Sequence, residues 1–155
     1  AGVRSAIVDL GGNIVAVGGK AESLLDTNEA HSSFKIGIKD PQPASGGLIG
    51  TIPAADKTVV TSGTYERYFV ADGKKYHHIL DSKSGMPTDT DVLSVTIISE
   101  KGHSADCDAL STSCLALGVE KGMALLQSIE DTEAIFVDTD GQIHLTSEEI
   151  GFEKS

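Results

Sequence analysis

Three two-residue turn signals constrain the fold of this chain more than any other feature. Gly11-Gly12, Asp72-Gly73 and Asp140-Gly141 each lie between short runs rich in apolar and β-branched residues. Such pairs supply the positive φ angles that tight turns between antiparallel strands require, so each predicts a β-hairpin. Antiparallel pairing should therefore dominate the strand-forming part of the chain.

Further strands are predicted by period-two alternation and by apolar runs. They are expected over 34–40, near 47–54, near 57–62 and over 92–99. The last run is apolar almost throughout, which is typical of a central strand buried on both faces. The polar segment 20–33 is expected to be a surface loop.

Helical periodicity begins at residue 104. Apolar side chains recur there at helical spacing, at Cys107, Leu110, Cys114 and Leu117. Gly118 is a typical helix stop, and a second helix is expected over 119–129. The two cysteines should lie about 10 Å apart on one helix face, too far for a disulfide, and are expected to be small buried hydrophobes. The order of elements predicts an α+β fold in which a helical pair packs against an antiparallel sheet.

Length and charge limit the function classes. A chain of 155 residues with 39% hydrophobic residues is expected to form a single domain, 1–155. The net charge of -11 makes nucleic acid an improbable partner. An anionic small molecule would need a metal ion, an Arg or a helix N-terminus to bind here. No apolar run is long enough to predict a transmembrane helix.

The segment "DALST" at the start of the first helix offers a carboxylate and a hydroxyl four residues apart. Asp108 and Thr112 should share a helix face, and both carry hard oxygen ligands of the kind that Mg²⁺ prefers. The alternative is that Asp106 and Asp108 only stabilise the helix N-terminus.

The segment "YHHILD" contains two adjacent histidines, His77 and His78, which alternation places on opposite faces of a strand. One could act as a general base, or both could be structural. Zinc is disfavoured because neighbouring strand residues cannot both reach one ion.

Two further segments carry weaker signals. In "TSGTYERYF", Tyr65 and Arg67 should share a face, with Glu66 on the other; Arg67 could bind a phosphate or form a cross-strand ion pair. The glycines of "DLGGN" could permit close backbone approach to a ligand, or simply form a turn. No Walker, GxGxxG or GxSxG pattern is present.

The order of these segments resembles the ApbE family, the FAD:protein FMN transferases. The resemblance runs from about residue 5 to 146, and its most specific blocks are "TSGTYERYF", "YHHILDSKSGMP" and "DALST". It implies a T-fold-like α+β fold and a Mg²⁺-dependent enzyme that moves FMN from FAD onto a Thr of a flavoprotein subunit and releases AMP. Some relatives instead hydrolyse FAD to FMN and AMP.

The resemblance also implies residue roles. Asp108 and Thr112 match the positions that hold Mg²⁺, and His78 matches the proposed catalytic base. Ile79 matches a contact to the flavin nucleotide, and Ser62 and Tyr65 are expected to line the same cleft. Family members are usually periplasmic or otherwise extracytoplasmic lipoproteins, so membrane attachment is expected only through an N-terminal lipid anchor that this chain does not include.

The sequence departs from the family pattern in two ways. Ser82 and Ser84 stand where the family usually has Pro and Thr, which makes the loop less rigid. A "KGYAVD"-like segment that normally lies upstream is missing. The chain is therefore expected to be the C-terminal part of a longer ApbE-like protein; the alternative is a truncated, non-catalytic module that binds a flavin nucleotide or a protein.

Overall fold

The computed structural model of the chain describes residues 2–20, 32–42 and 46–155. In chain order the strands are β1 (Ala6–Asp9), β2 (Asn13–Val17), β3 (Phe34–Lys39), β4 (Leu48–Ala54), β5 (Lys57–Gly63), β6 (Tyr68–Ala71), β7 (Lys74–His77), β8 (Val92–Glu100), β9 (Thr132–Asp138), β10 (Ile143–Leu145) and β11 (Glu153–Lys154). The helices are α1 (Ser104–Leu117) and α2 (Val119–Leu126), and a 3-10 turn spans Glu148–Ile150. The loop predicted over 20–33 lies largely outside the described residues.

Within the described residues, the strands form three antiparallel sheets. A six-stranded sheet has the order β1-β2-β5-β8-β9-β10, a three-stranded sheet has the order β11-β4-β3, and β6 and β7 pair only with each other. Both helices connect β8 to β9 and pack on one face of the six-stranded sheet, where α1 contacts β5 and β8 and α2 contacts β9. The predicted α+β architecture is confirmed. The structure adds that the second face of the six-stranded sheet is also apolar and is covered by β3 and β4.

Among the residues that the structure describes, the buried apolar side chains form two clusters on opposite faces of the six-stranded sheet. The helix-side cluster includes Val60, Ile97, Cys114, Leu115 and Phe136. The opposite cluster joins the sheet to β3 and β4 and includes Ile36, Ile52, Val59, Ile98 and Ile135. Successive residues of one strand enter different clusters, so β8 must be apolar on both faces. Its prediction as a central strand is confirmed.

The predicted hairpins are all present. Gly11 and Gly12 have φ angles of 75° and 96° between β1 and β2, and Asp72 and Gly73 have 51° and 73° between β6 and β7. Two consecutive positive φ angles are the geometry of the tight turns that these dipeptides favour. A loop that includes Gly141 joins β9 to β10, with Ile143 paired to Val137.

The helical pair is close to the prediction, although α2 is shorter than expected. It ends at Leu126, and the amides of Ser128 and Ile129 bond to Leu125 and Leu126 in a tighter turn. Cys107 and Cys114 are buried and free, and burial raises the pKa of each thiol to about 11. Among the described residues, no helix combines the length and apolar character needed to cross a membrane.

Candidate active site

A cleft of about 660 Å³ opens between the exposed side of α1, the end of β5 and the β1–β2 turn. Its lining includes Gly12, Ser62, Arg67, His78, Asp108 and Thr112. These residues come from four separate segments, and the ends of the β6–β7 hairpin supply Arg67 and His78. The cleft therefore gathers most of the residues that sequence analysis singled out.

The position of Asp108 and Thr112 follows from the way α1 packs. Cys107 and Ser111 are buried on the side of α1 that faces the core. Asp108 and Thr112 follow them in sequence and therefore lie at the edge of that buried face. Asp108 is exposed and Thr112 is half-buried, and both line the cleft, as their spacing predicts. No group of three His, Cys, Asp or Glu side chains close enough to hold a metal ion occurs within the described ranges.

His78 is held by the main chain of Arg67. Its amide donates to the Arg67 carbonyl oxygen at 3.1 Å, and its ring Nδ1 lies 3.2 Å from the same oxygen. A carbonyl oxygen can only accept, so Nδ1 must carry a hydrogen when this bond forms. In the neutral ring that leaves Nε2 as the basic nitrogen.

His77 is placed differently from its neighbour. It does not line the cleft, and its ring Nδ1 is buried without a hydrogen-bond partner in the described part of the chain. Burial lowers the pKa of His77, as do the positive charges of Lys75 and His78, while a hydrogen bond with the Thr88 backbone opposes them. Because His77 lies away from the cleft, it is not placed to accept a proton from a molecule bound there.

The hydroxyl of Ser62 connects β5 to α1. Its Oγ lies 2.8 Å from Ser111 Oγ and 3.2 Å from Thr112 Oγ1. Ser111 Oγ in turn donates to the Asp108 carbonyl oxygen at 3.0 Å. Sequence analysis missed Ser111, although it lies inside "DALST" three residues after Asp108, a spacing at which serine bonds back to a helix carbonyl.

Ile79 is anchored by the loop that follows it. It is 6% exposed, belongs to the helix-side cluster and also lines the cleft. Its carbonyl accepts the Thr88 amide at 3.0 Å, and the Asp81 carboxylate accepts the amides of Lys83 and Ser84. The bonds from Ser84 hold the pKa of Asp81 below its usual value. Asp81 thus fixes the loop although Ser82 replaces the usual proline.

Tyr65 lies outside the lining of the cleft, unlike Ser62. Its ring lies against Gly63, where a Cβ atom would come within 2.3 Å of it, and Lys39 Nζ lies 5.1 Å from the ring centroid. Burial raises the pKa of the Tyr65 phenol to about 12.

Glu66 and Arg67 both line the cleft. The prediction that they face opposite ways is wrong. Residues 64–67 form a turn and bend instead of a strand, so the period-two rule does not apply to them.

The "DLGGN" turn forms one wall of the cleft. Asp9 Oδ1 accepts the amides of Gly11 and Gly12 at 2.9 and 3.2 Å, and the Gly12 carbonyl accepts the Thr61 amide at 3.0 Å. The glycines of this segment therefore form a turn, and the same turn brings the backbone of Gly11 and Gly12 to the edge of the cleft.

Comparison with known proteins identifies the family. The family model of the ApbE family matches residues 1–136. The chain belongs to the ApbE family. Among curated relatives, the FAD:protein FMN transferase of Treponema pallidum is 41% identical over 143 residues, which cover 92% of this chain and 39% of the relative. That of Klebsiella pneumoniae is 43% identical over 145 residues, which cover 94% of this chain and 41% of the relative.

Solved ApbE structures share the fold. The ApbE protein from Thermotoga maritima aligns with a TM-score of 0.79 and 32% identity over 96% of this chain and 45% of its own. The apo flavinyl transferase ApbE of Pseudomonas stutzeri aligns with a TM-score of 0.70 and 30% identity over 97% of this chain and 44% of its own. The chain thus spans about two fifths of the length of the curated relatives that it matches.

Proposed function

We propose that this chain forms one part of the active site of an FAD:protein FMN transferase, which moves FMN from FAD onto a Thr of a flavoprotein with the help of Mg²⁺. The observation that carries the proposal is the cleft in which His78, Asp108 and Thr112 meet, although they come from a hairpin end and from a helix. His78 offers a basic nitrogen, and Asp108 and Thr112 offer oxygen ligands for a hard cation. Both could therefore act on the same bound substrate.

The donor set fits Mg²⁺. A carboxylate from Asp108 and a hydroxyl from Thr112 are hard oxygen ligands, and Mg²⁺ in proteins commonly combines one or two carboxylates with substrate phosphates and water. When bound, the cation would neutralise charge on the diphosphate of FAD. Such help is needed because the cleft sets two carboxylates, of Asp108 and Glu66, against the one guanidinium of Arg67, in a chain with a net charge of -11.

His78 is the proposed general base. Its Nε2 accepts the proton of the Thr hydroxyl as the Thr oxygen attacks the phosphorus on the FMN side of the diphosphate. A new phosphoester bond forms, the P–O bond of the diphosphate breaks, and AMP leaves with both bonding electrons. The hydrogen bond from Nδ1–H to the Arg67 carbonyl orients the ring and stabilises it when it becomes protonated.

The remaining predicted contacts follow the lining of the cleft. Ile79 would contact the flavin nucleotide through an apolar surface, and Ser62 would lie behind the cation site. Arg67 would meet a phosphate oxygen, because it lines the cleft together with His78. A direct contact from Tyr65 would require its ring to leave Gly63.

The test uses the full-length protein with FAD, Mg²⁺ and an acceptor domain that carries the target Thr. AMP release and a covalently flavinylated, fluorescent acceptor are expected, and both should be lost with a chelator or when the acceptor Thr is replaced by Val. AMP release that is as fast without acceptor as with it, and that labels no acceptor, would instead show an FAD pyrophosphatase. FAD binding with neither product would show a non-catalytic binding module.

We also propose that the full-length parent is an extracytoplasmic, lipid-anchored protein. The support is its membership of the ApbE family, whose resemblance implies such an anchor. Fractionation of cells and labelling with radioactive palmitate should find the protein in a membrane fraction, accessible from outside the cytoplasm. An unlabelled cytoplasmic protein would contradict this.

A further inference from the structure

We infer that Ser62 and Ser111 are positioning residues that fix the hydroxyl hydrogen of Thr112 away from the cleft, so that Thr112 presents only oxygen lone pairs to a cation. This inference rests on the cation site of the proposed function. It concerns three hydroxyl groups and one carbonyl oxygen, here called the hydroxyl chain: Thr112, Ser62, Ser111 and the Asp108 carbonyl.

The direction of the hydroxyl chain follows from counting hydrogens. Each hydroxyl has one hydrogen to donate, and the carbonyl has none. Ser111 is 3.0 Å from the Asp108 carbonyl oxygen and must be the donor there. Its contact with Ser62 at 2.8 Å can then be a hydrogen bond only if Ser62 donates.

The same rule fixes the last contact. Because the Ser62 hydrogen is committed to Ser111, the 3.2 Å contact between Ser62 and Thr112 needs Thr112 as its donor. No other assignment makes all three contacts hydrogen bonds. The Thr112 hydrogen therefore points toward β5, and its lone pairs are left for the cleft.

Burial makes this direction hard to reverse. Ser111 is 0% exposed, so water cannot take over either of its hydrogen bonds. Its bond to the Asp108 carbonyl lies within α1, and α1 is packed against β5, the strand that carries Ser62. A reversed chain would lose the buried hydrogen bond from Ser111 to the Asp108 carbonyl and would turn the Thr112 hydrogen toward the cation. Partners behind a metal ligand commonly change metal affinity by about 10–100-fold in this way.

The experiment measures cation binding rather than activity. Mn²⁺, which shares the oxygen-ligand preference of Mg²⁺, is titrated into the full-length protein by electron paramagnetic resonance, alone and with FAD. Ser111→Ala and Ser62→Ala should each weaken Mn²⁺ binding by about 10–100-fold. Ser62→Thr keeps a hydroxyl at this position, and Thr is well tolerated in a β-strand. Its Mn²⁺ affinity should stay within about threefold of that of wild type.

Ser99→Ala is the matched control. Ser99 is 6% exposed and its Oγ donates to the Asp131 carbonyl at 3.0 Å, so it resembles Ser111 in burial and bonding but lies outside the hydroxyl chain. It should bind Mn²⁺ like wild type. Thermal unfolding is followed for each variant, and if Ser111→Ala fails to fold, the half-buried Ser62 position decides the question.

Three results would overturn the inference. The first is unchanged Mn²⁺ binding in both alanine variants, and the second is equal loss in Ser62→Thr and Ser62→Ala. The third is a wild-type protein that binds no Mn²⁺ with or without FAD. The first two results leave the transferase proposal intact if the wild type still flavinylates its acceptor. The third would contradict a cation site altogether, and so would count against both this inference and the cation in the proposed function.

Discussion

Replacing His78 with alanine tests the proposed base most directly. The substitution removes Nε2 and the ring hydrogen bond to the Arg67 carbonyl, but it keeps the main-chain bond from the same amide to the same oxygen. The hairpin end should therefore stay in place while the basic nitrogen is lost.

The expected effects on rate and on stability differ in size. Loss of a general base lowers kcat by about 10²–10⁴-fold, which corresponds to about 3–5 kcal/mol of activation free energy. The ring is exposed and its only hydrogen bond among the described residues is to Arg67, so the free energy of unfolding should fall by about 1 kcal/mol or less. The dissociation constant of FAD should change by less than about threefold, because the nitrogen acts on the acceptor hydroxyl.

The assay compares flavinylation rates at saturating FAD and acceptor, with FAD binding measured separately. His103→Ala is the control, since its side chain is 57% exposed, contacts Asp106 at 3.3 Å and lies outside the cleft. It should retain the wild-type rate, and added imidazole should partly restore His78→Ala because the vacated space is open to solvent. A His78→Ala protein that keeps at least half the wild-type kcat would refute the assignment of His78 as base.

Three further outcomes are expected. Asp108→Asn keeps the size of the side chain but removes its charge, so the Mg²⁺ concentration for half-maximal transfer should rise about tenfold or more; an unchanged Mg²⁺ dependence would contradict a cation ligand here. Gly122→Ala should destabilise the fold by about 1 kcal/mol or more in urea unfolding, since its Cβ would lie 2.9 Å from the buried Phe136 ring and this clash outweighs the gain in helix propensity; an equally or more stable variant would contradict it. The hydrogen bond from His144 lowers the pKa of the Asp138 carboxyl, so this bond's stabilisation is present above the ordinary Asp pKa and is lost as the pH falls through the lowered one. Urea unfolding at pH 6 and pH 3 should show a smaller pH-dependent loss in Asp138→Asn than in wild type.

The hairpins and the helical pair could be predicted because their signals are local. A dipeptide such as Asp72-Gly73 favours the positive φ angles of a tight turn whatever surrounds it. The shared face of Cys107 and Cys114 follows from the period of the helix alone. The division into three sheets could not be predicted this way. It depends on which strands cover the second apolar face of the central sheet, and that is decided by contacts distant in sequence.

The site shows the same division between local and distant signals. Asp108 and Thr112 share a helix face by spacing alone. Glu66 was misplaced because strand periodicity was extended through residues that form a turn. Ser111 was missed because its role depends on β5, whose Ser62 is 49 residues away in sequence and 2.8 Å away in space. Only the fold brings these two hydroxyls together.

Transfer and hydrolysis of FAD would use the same cation and the same His78 nitrogen. They differ in the attacking oxygen, which comes from the acceptor Thr in transfer and from water in hydrolysis. His78 is exposed, and the neighbouring Leu80 is 55% exposed, so the described part of the chain does not by itself keep water from Nε2. Exclusion of water must then come from another surface, either the rest of a full-length protein or the acceptor of the proposed transfer; we propose that the acceptor contributes. A transferase built this way should release AMP slowly without acceptor, and an acceptor whose Thr is replaced by Val should slow that release further by covering His78. Faster AMP release with the Val acceptor than without it would show that the acceptor does not shield the base.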